Sequence, residues 1–185
     1  DARQKFSELG FMSMLSSSLF PGVEQPKIEV RECTQETLAS LTERMREVNE
    51  FSFATQKGKV HLFEGNAEYV FTIRENFLEP GFFLTELRQL FEILFTGEKH
   101  AILPDVKATA HYLKDEAGID LSCRADDVLL LRYLGDSNRR PSSVEELAAE
   151  FGVSDQCLAH AVMLAYRDAV AKETATDAKL YRELE

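Results

Sequence analysis

His61, Glu64, Glu68, Arg74 and Glu75 are the side chains in this sequence whose types best suit phosphoryl chemistry. A nuclease or an ATPase needs carboxylates to hold Mg²⁺ and a cation opposite the phosphoryl oxygens, and this short stretch supplies both. Their spacing limits what they can do together. On one strand Glu64 shares a face with Val60 and Leu62 while His61 points the other way, so convergence needs a bulge or a second loop. The alternative is a set of solvated hairpin charges. A second candidate is Asn138, Arg139 and Arg140, which contains the chain's adjacent arginine pair. Just before a helix start, those arginines would add to the helix N-terminal dipole and hold a phosphate, or they would pair with Asp136, Glu145 or Glu146 in a solvated loop.

Other chemistries lack their residues. His61, His100, His111 and His160 show no HxxxH or HExxH spacing, and no GxSxG, GxxxxGK[ST] or GxGxxG occurs. Zinc hydrolases, serine hydrolases, P-loop enzymes and dehydrogenases are therefore not indicated. Cys33, Cys123 and Cys157 are far apart and form no CxxC, which fits a reducing cytoplasm better than a disulfide framework. The 32 acids against 21 bases give a formal charge of -11 over 185 residues. Such a chain repels polyanions at long range, so any nucleic-acid contact has to be local. An acidic DNA mimic that occupies a basic partner's groove is an alternative on charge alone.

These residues must be positioned by elements that the hydrophobic pattern outlines. Lys27–Glu32 alternates as a strand. Thr34 then caps a helix marked by Leu38, Leu41, Met45 and Val48. Lys59–Glu64 and Tyr69–Arg74 flank Gly65-Asn66-Ala67 and pair as an antiparallel hairpin, with Val60, Leu62, Tyr69, Phe71 and Ile73 inward. Phe83 to Phe95 carries so broad an apolar stripe that it predicts a buried central helix, and the Phe-rich run from Phe77 is expected to be core. A strand over 100–106, a helix over 108–117 closed by Gly118, and a helix over 125–135 follow.

From Ser143 to Tyr166 the spacing of small residues predicts a helix-turn-helix. Ala148 allows close crossing, Gly152 the left-handed turn, Val153 the corner and Ser154 the next cap. Leu147, Phe151, Leu158 and Val162 would face a core, while Asp155, Gln156, Ala159 and His160 look outward. A recognition helix usually offers Arg, Lys or Asn there. Near the start, the segment FMSMLSSSLF at 11–20 is too short and Ser-rich for a membrane span. It predicts an N-terminal helix on the body, with membrane-surface contact as the alternative.

In that order of elements the chain resembles the ParB/sulfiredoxin-like superfamily followed by its DNA-binding helices. IEVRECTQETLASLTERMREV looks like the opening β-α unit, HLFEGNAEYV sits where the family's phosphate-binding turn follows a strand, ILPDV looks like the next strand, and DSNRRPSSVEELAAEFGVS is similar to the arginine segment leading into the helix-turn-helix. In size and architecture it is also similar to plasmid fertility-inhibition (oncogenic suppression) factors. Gly65 is followed by Asn66, Ala67 and Glu68 where the family pattern has Glu, Arg, Arg, and Cys33 does not occupy the sulfiredoxin cysteine position.

The resemblance implies an α+β fold, a ParB/sulfiredoxin-like mixed sheet with helices, followed by a C-terminal helix-turn-helix-like helical part. Its divisions would be an arm at 1–22, a body at 23–120 and a helical region at 121–185. It implies a cytoplasmic factor blocking transfer of DNA or nucleoprotein between cells, with weak ATPase and DNase activity using Mg²⁺ and ATP. Glu64, Glu68, Arg139 and Arg140 would be catalytic. Gly65, Asn66, Arg74 and Asn138 would bind nucleotide or phosphate, and Ser154, Gln156, His160 and Arg167 would contact DNA. Partners would be DNA or a nucleoprotein transfer intermediate, conjugation and secretion machinery proteins, and a second copy in a homodimer. A non-enzymatic helix-turn-helix regulator and an acidic inhibitor of a basic partner are the competing functions.

Overall fold

A computed structural model describes residues 28–136 and 143–172. The N-terminal segment, Asn138, Arg139, Arg140 and the stretch after 172 lie outside the described residues. The elements run β1 (Glu29–Glu32), α1 (Gln35–Arg46), β2 (Glu50–Gln56), β3 (Lys59–Phe63), β4 (Ala67–Thr72), α2 (Arg88–Phe95), β5 (His100–Leu103), α3 (Val106–Tyr112), β6 (Arg124–Asp127), α4 (Val128–Gly135), α5 (Val144–Glu150) and α6 (Leu158–Lys172). A 3₁₀ turn, Leu84–Leu87, leads into α2, and a π-helical turn, Leu113–Ala117, extends α3 to Gly118, whose φ of 67° ends it. Among the described residues the fold is a mixed α/β arrangement of one six-stranded sheet and six α-helices.

The sheet order is β1-β4-β3-β2-β5-β6. β3 runs antiparallel to both β2 and β4, while β1 is parallel to β4, and β5 and β6 continue parallel to β2. Alternation along the strands sorts the residues onto two faces. One face holds Phe51, Phe53, Val60, Leu62, Tyr69 and Phe71 in a core shared with α1 and α2. Phe53 meets Phe91 and Phe95 edge-on at 5.8 and 5.0 Å, the geometry that ring quadrupoles prefer. The other face holds Ala54, Phe63 and Ile102 in a second core with α4, α5 and α6. On this side small residues meet small residues. Ser52 is fully buried and its Oγ donates to the Ala159 carbonyl at 2.6 Å, which brings α6 close against β2.

The hairpin forms with the expected inward residues, and α1 and α2 fall where their apolar spacing places them. Several expectations are corrected. β2 was not foreseen, because four of its residues in succession, Phe51 to Ala54, are buried on both faces, so it lacks the wet side that gives a clean alternation. Arg124–Asp127 is a strand rather than the start of a helix, since His100 and Tyr166 bury the Asp126 carboxylate. The described residues after 120 supply the sixth strand as well as α4, α5 and α6, which cover the second face. Phe77 and Leu78, expected in the core, are 85 % and 97 % exposed.

Candidate functional site

The Gly65 turn closes on the protein's own groups. Gly65 has φ of 109°, which turns the chain between β3 and β4. The Glu64 carboxylate then accepts from Arg44 Nη2 at 2.8 Å, from the Asn66 backbone N–H at 3.2 Å and from Asn66 Nδ2 at 3.3 Å. The Tyr69 hydroxyl lies 3.4 Å from the same carboxylate. The Glu64 side chain is only 3 % exposed, so its oxygens serve this local ion pair and turn.

Glu68, on β4, faces the opposite side of the sheet and is fully buried. Its Oε1 accepts the Ala159 backbone N–H and its Oε2 that of His160, both at 2.8 Å. Those are otherwise unpaired donors in the first turn of α6, where a carboxylate is also favoured by the helix dipole. His61 Nδ1 lies 3.1 Å from Oε1 and completes the arrangement in the tautomer that carries its proton there. Glu68 is thus a latch between sheet and helix. Glu64 and Glu68 stand on opposite faces and cannot share a metal ion. Among the described residues no group of three or more His, Cys, Asp or Glu is arranged to hold one.

Arg74 lies far from Glu64 along the hairpin. Its guanidinium stacks 4.4 Å from the Phe83 ring centre and pairs with Glu86 at 3.2 Å. It borders a cleft of about 810 Å³ at the β2–β3 tip, whose lining includes Lys57, Lys59, Phe83, Tyr112 and Val144. Gln56 on that tip donates to Glu145 of α5 at 3.3 Å. The described start of α5 therefore sits at the opposite end of β3 from Gly65. Glu75 is exposed on the following loop.

The C-terminal helices correct the DNA-facing assignment. Gly152 takes its left-handed turn, and Leu147, Phe151, Leu158 and Val162 are buried as the spacing predicts. Helix α6 starts only at Leu158, after the intervening turns, and every residue from Leu158 to Met163 is buried. His160 is stacked 4.7 Å from the Phe63 ring, and burial, aided by the nearby Arg167 charge, pushes its imidazole down to about 4. Ser154 and Gln156 are exposed in the turn and Arg167 is exposed further along, so Ser154, Gln156, His160 and Arg167 do not form one reading face. A run of small and apolar residues with one titratable group, CLAHAVMLA, is the pattern of a helix buried all round, and it is the signal that places His160 inside.

A cluster that sequence reasoning missed lies where β2, β5 and β6 start. His100 Nε2 is 2.7 Å from Asp126 Oδ2, its Nδ1 is 3.0 Å from Glu50, and the Tyr166 hydroxyl donates to Asp126 at 2.9 Å. The Asp126 hydrogen bond holds the His100 imidazole above its ordinary value despite burial. Burial opposes the charge of Asp126, but the bonds from His100 and Tyr166 outweigh it and keep the carboxyl below the usual range. With a carboxylate at each ring nitrogen, His100 serves as an ionic clasp in its protonated form. The thiols are not poised either, since burial pushes Cys33 up to about 12 and Cys157 up to about 11.

No family model matches the chain, and no curated protein matches it. Among solved structures it is similar to the RNase domain of the yeast Pop2 protein, with a TM-score of 0.49 and 11 % identity over 80 % of this chain and 89 % of that one. The resemblance to the ParB/sulfiredoxin-like superfamily, and to fertility-inhibition factors within it, is therefore corrected. No family model supports it, and the turn cast as a phosphate grip is occupied by Arg44 and Asn66. No described helix is long and apolar enough to cross a membrane.

Proposed function

We propose that this chain acts by binding, as an acidic module that engages a basic partner protein, and not by catalysis. The observation that carries the reading is the use of Glu68. One of the two carboxylates that the sequence offers for metal-assisted chemistry, it is sealed under α6 with both oxygens taken by backbone N–H groups. Surface charge supports the positive half of the proposal. Among the described residues, nineteen Asp and Glu are exposed against eleven Lys and Arg, and such an excess steers cationic partners and repels DNA.

Blocking of DNA or nucleoprotein transfer loses the resemblance that supported it, and groove reading by α6 is disfavoured by its seating on the sheet. The proposal is tested with purified protein, plasmid DNA, Mg²⁺ and ATP, followed by titration with poly-lysine at rising salt. We expect neither strand cleavage nor phosphate release, no DNA retention, and poly-lysine binding that weakens steeply with salt. Mg²⁺-dependent cleavage or ATP turnover by the wild-type chain would overturn the non-catalytic reading, its loss in Glu68→Gln assigning the activity to that carboxylate, and indifference to poly-lysine would overturn the acidic-module reading.

A further inference from the structure

The loop between β4 and the 3₁₀ turn is built to hold two large apolar side chains in water. Its neck is closed by Phe82 N–H to Thr72 O at 2.8 Å and Arg74 N–H to Phe82 O at 2.9 Å. Within it the Asn76 side chain accepts the Leu78 N–H at 3.0 Å and donates to Glu79 at 2.7 Å, and the Glu75 N–H donates to Glu79 at 3.4 Å. Phe77 leans edge-on against Phe83 at 4.7 Å, with the Arg74 guanidinium 5.8 Å from its ring centre. Polar groups thus fix the backbone while Phe77 and Leu78 stay 85 % and 97 % exposed. Two adjacent exposed apolar side chains on a braced loop mark an anchor whose ordering cost is already met before binding.

The receptor such an anchor needs is an apolar cleft with a cationic rim, because the exposed Glu75 and Glu79 flank it. The same face of the molecule carries an apolar-walled cleft with two lysines at its tip. The 810 Å³ cleft beside the loop has half-buried Ile73, Phe83, Leu84, Tyr112 and Val144 in its wall and the exposed Lys57 and Lys59 at the hairpin tip; Arg74, Glu75, Glu116 and Glu145 also line it. We propose that two copies of this chain pair through this face, Phe77 and Leu78 of each copy entering the cleft of the other, with Glu75 and Glu79 against the partner copy's Lys57 and Lys59. An anchor and a matching receptor side by side on one surface are what a two-fold, isologous contact requires. Four anchor side chains and the walls they cover would bury roughly 1,200–1,400 Å², enough for a standard-sized interface.

The whole chain is examined by sedimentation velocity from about 1 to 100 μM, the range in which such an interface would associate. The wild type is expected to shift from monomer to dimer. Leu78→Lys, and separately the pair Lys57→Glu with Lys59→Glu, are expected to stay monomeric over the same range with unchanged far-UV circular dichroism. Leu78→Ala, which adds no charge, serves as the second variant and should weaken association at least tenfold. A wild type that is monomeric throughout, or a dimer insensitive to Leu78→Lys, to Leu78→Ala and to the paired lysine reversal, overturns the pairing, whatever the outcome with poly-lysine.

Discussion

Replacing Glu68 by Gln changes one atom and separates a latch from a catalytic group. The carboxylate receives two backbone N–H groups and faces the His61 imidazole, all without solvent. A glutamine keeps one carbonyl acceptor and turns an NH₂ donor toward a donor. One charge-assisted hydrogen bond is lost and one buried N–H is left unsatisfied, at roughly 1.5 kcal/mol each, so Glu68→Gln should cost about 3 kcal/mol. With a urea slope near 2 kcal/mol per molar, the unfolding midpoint falls by about 1.5 M. Amide exchange should localise the loss, with Ala159 and His160 losing protection ahead of the β3–β4 hairpin. A midpoint unchanged to within about 0.2 M, with both amides still protected, would refute the latch and return Glu68 to the list of reactive groups.

Two glycines should respond differently to alanine. At Gly81, with φ of 123°, a Cβ would sit 2.4 Å from the Thr72 carbonyl oxygen, whereas at Gly65 nothing lies within 4 Å. Gly81→Ala should therefore destabilise by at least about 3 kcal/mol and Gly65→Ala by about 1 kcal/mol, both read from urea midpoints. Acid should act through His160. Its folded value near 4 lies below that of the unfolded chain, so the unfolded state takes up the proton first and stability falls as pH drops from about 6.5 toward 4. Between pH 7 and 5 that amounts to about 1–2 kcal/mol after allowance for screening at the ring edge. Comparing the pH slopes of wild type and His160→Gln isolates it; equal slopes would contradict the buried neutral ring. His100 works in the opposite sense. Its raised value adds stability that is complete below about 6.5 and lost as pH rises through the folded value, so His100→Gln should flatten the neutral-to-alkaline limb of the same curve.

Legibility followed how a residue's surroundings compare with its chemical type. Leu41 and Met45 of α1, and Val60, Leu62, Tyr69 and Phe71 of the hairpin, are apolar residues on one buried face, and their periodicity was enough. β2 has both faces buried, with Phe51 and Phe53 toward one core and Ser52 and Ala54 toward α6, so its small residues read as neutral filler until the helix that needs them is known. β6 failed for the converse reason. Its sequence RADD is charged, and Asp126 is admitted to the interior by hydrogen bonds from His100 and Tyr166, residues 26 and 40 positions away. Glu64 and Glu68 were singled out by type and spacing. What spacing could not convey is that Arg44 and the backbone of Ala159 and His160 would consume them. His160 was misplaced because a helix-turn-helix template fixed its outward face before the all-round apolar character of its helix was weighed.

The bonds that seat α6 join residues 91, 92 and 107 positions apart. During synthesis the strands that bear Ala54, Phe63 and Ile102 leave the ribosome long before their cover is translated. Until Leu158 and the turn after it emerge, an apolar surface and an uncompensated carboxylate face water together, which favours late closure and invites chaperone contact. A release that stopped translation short of that helix would leave a sheet with one side unprotected, so shortened chains should aggregate while point changes on the outer loops should not.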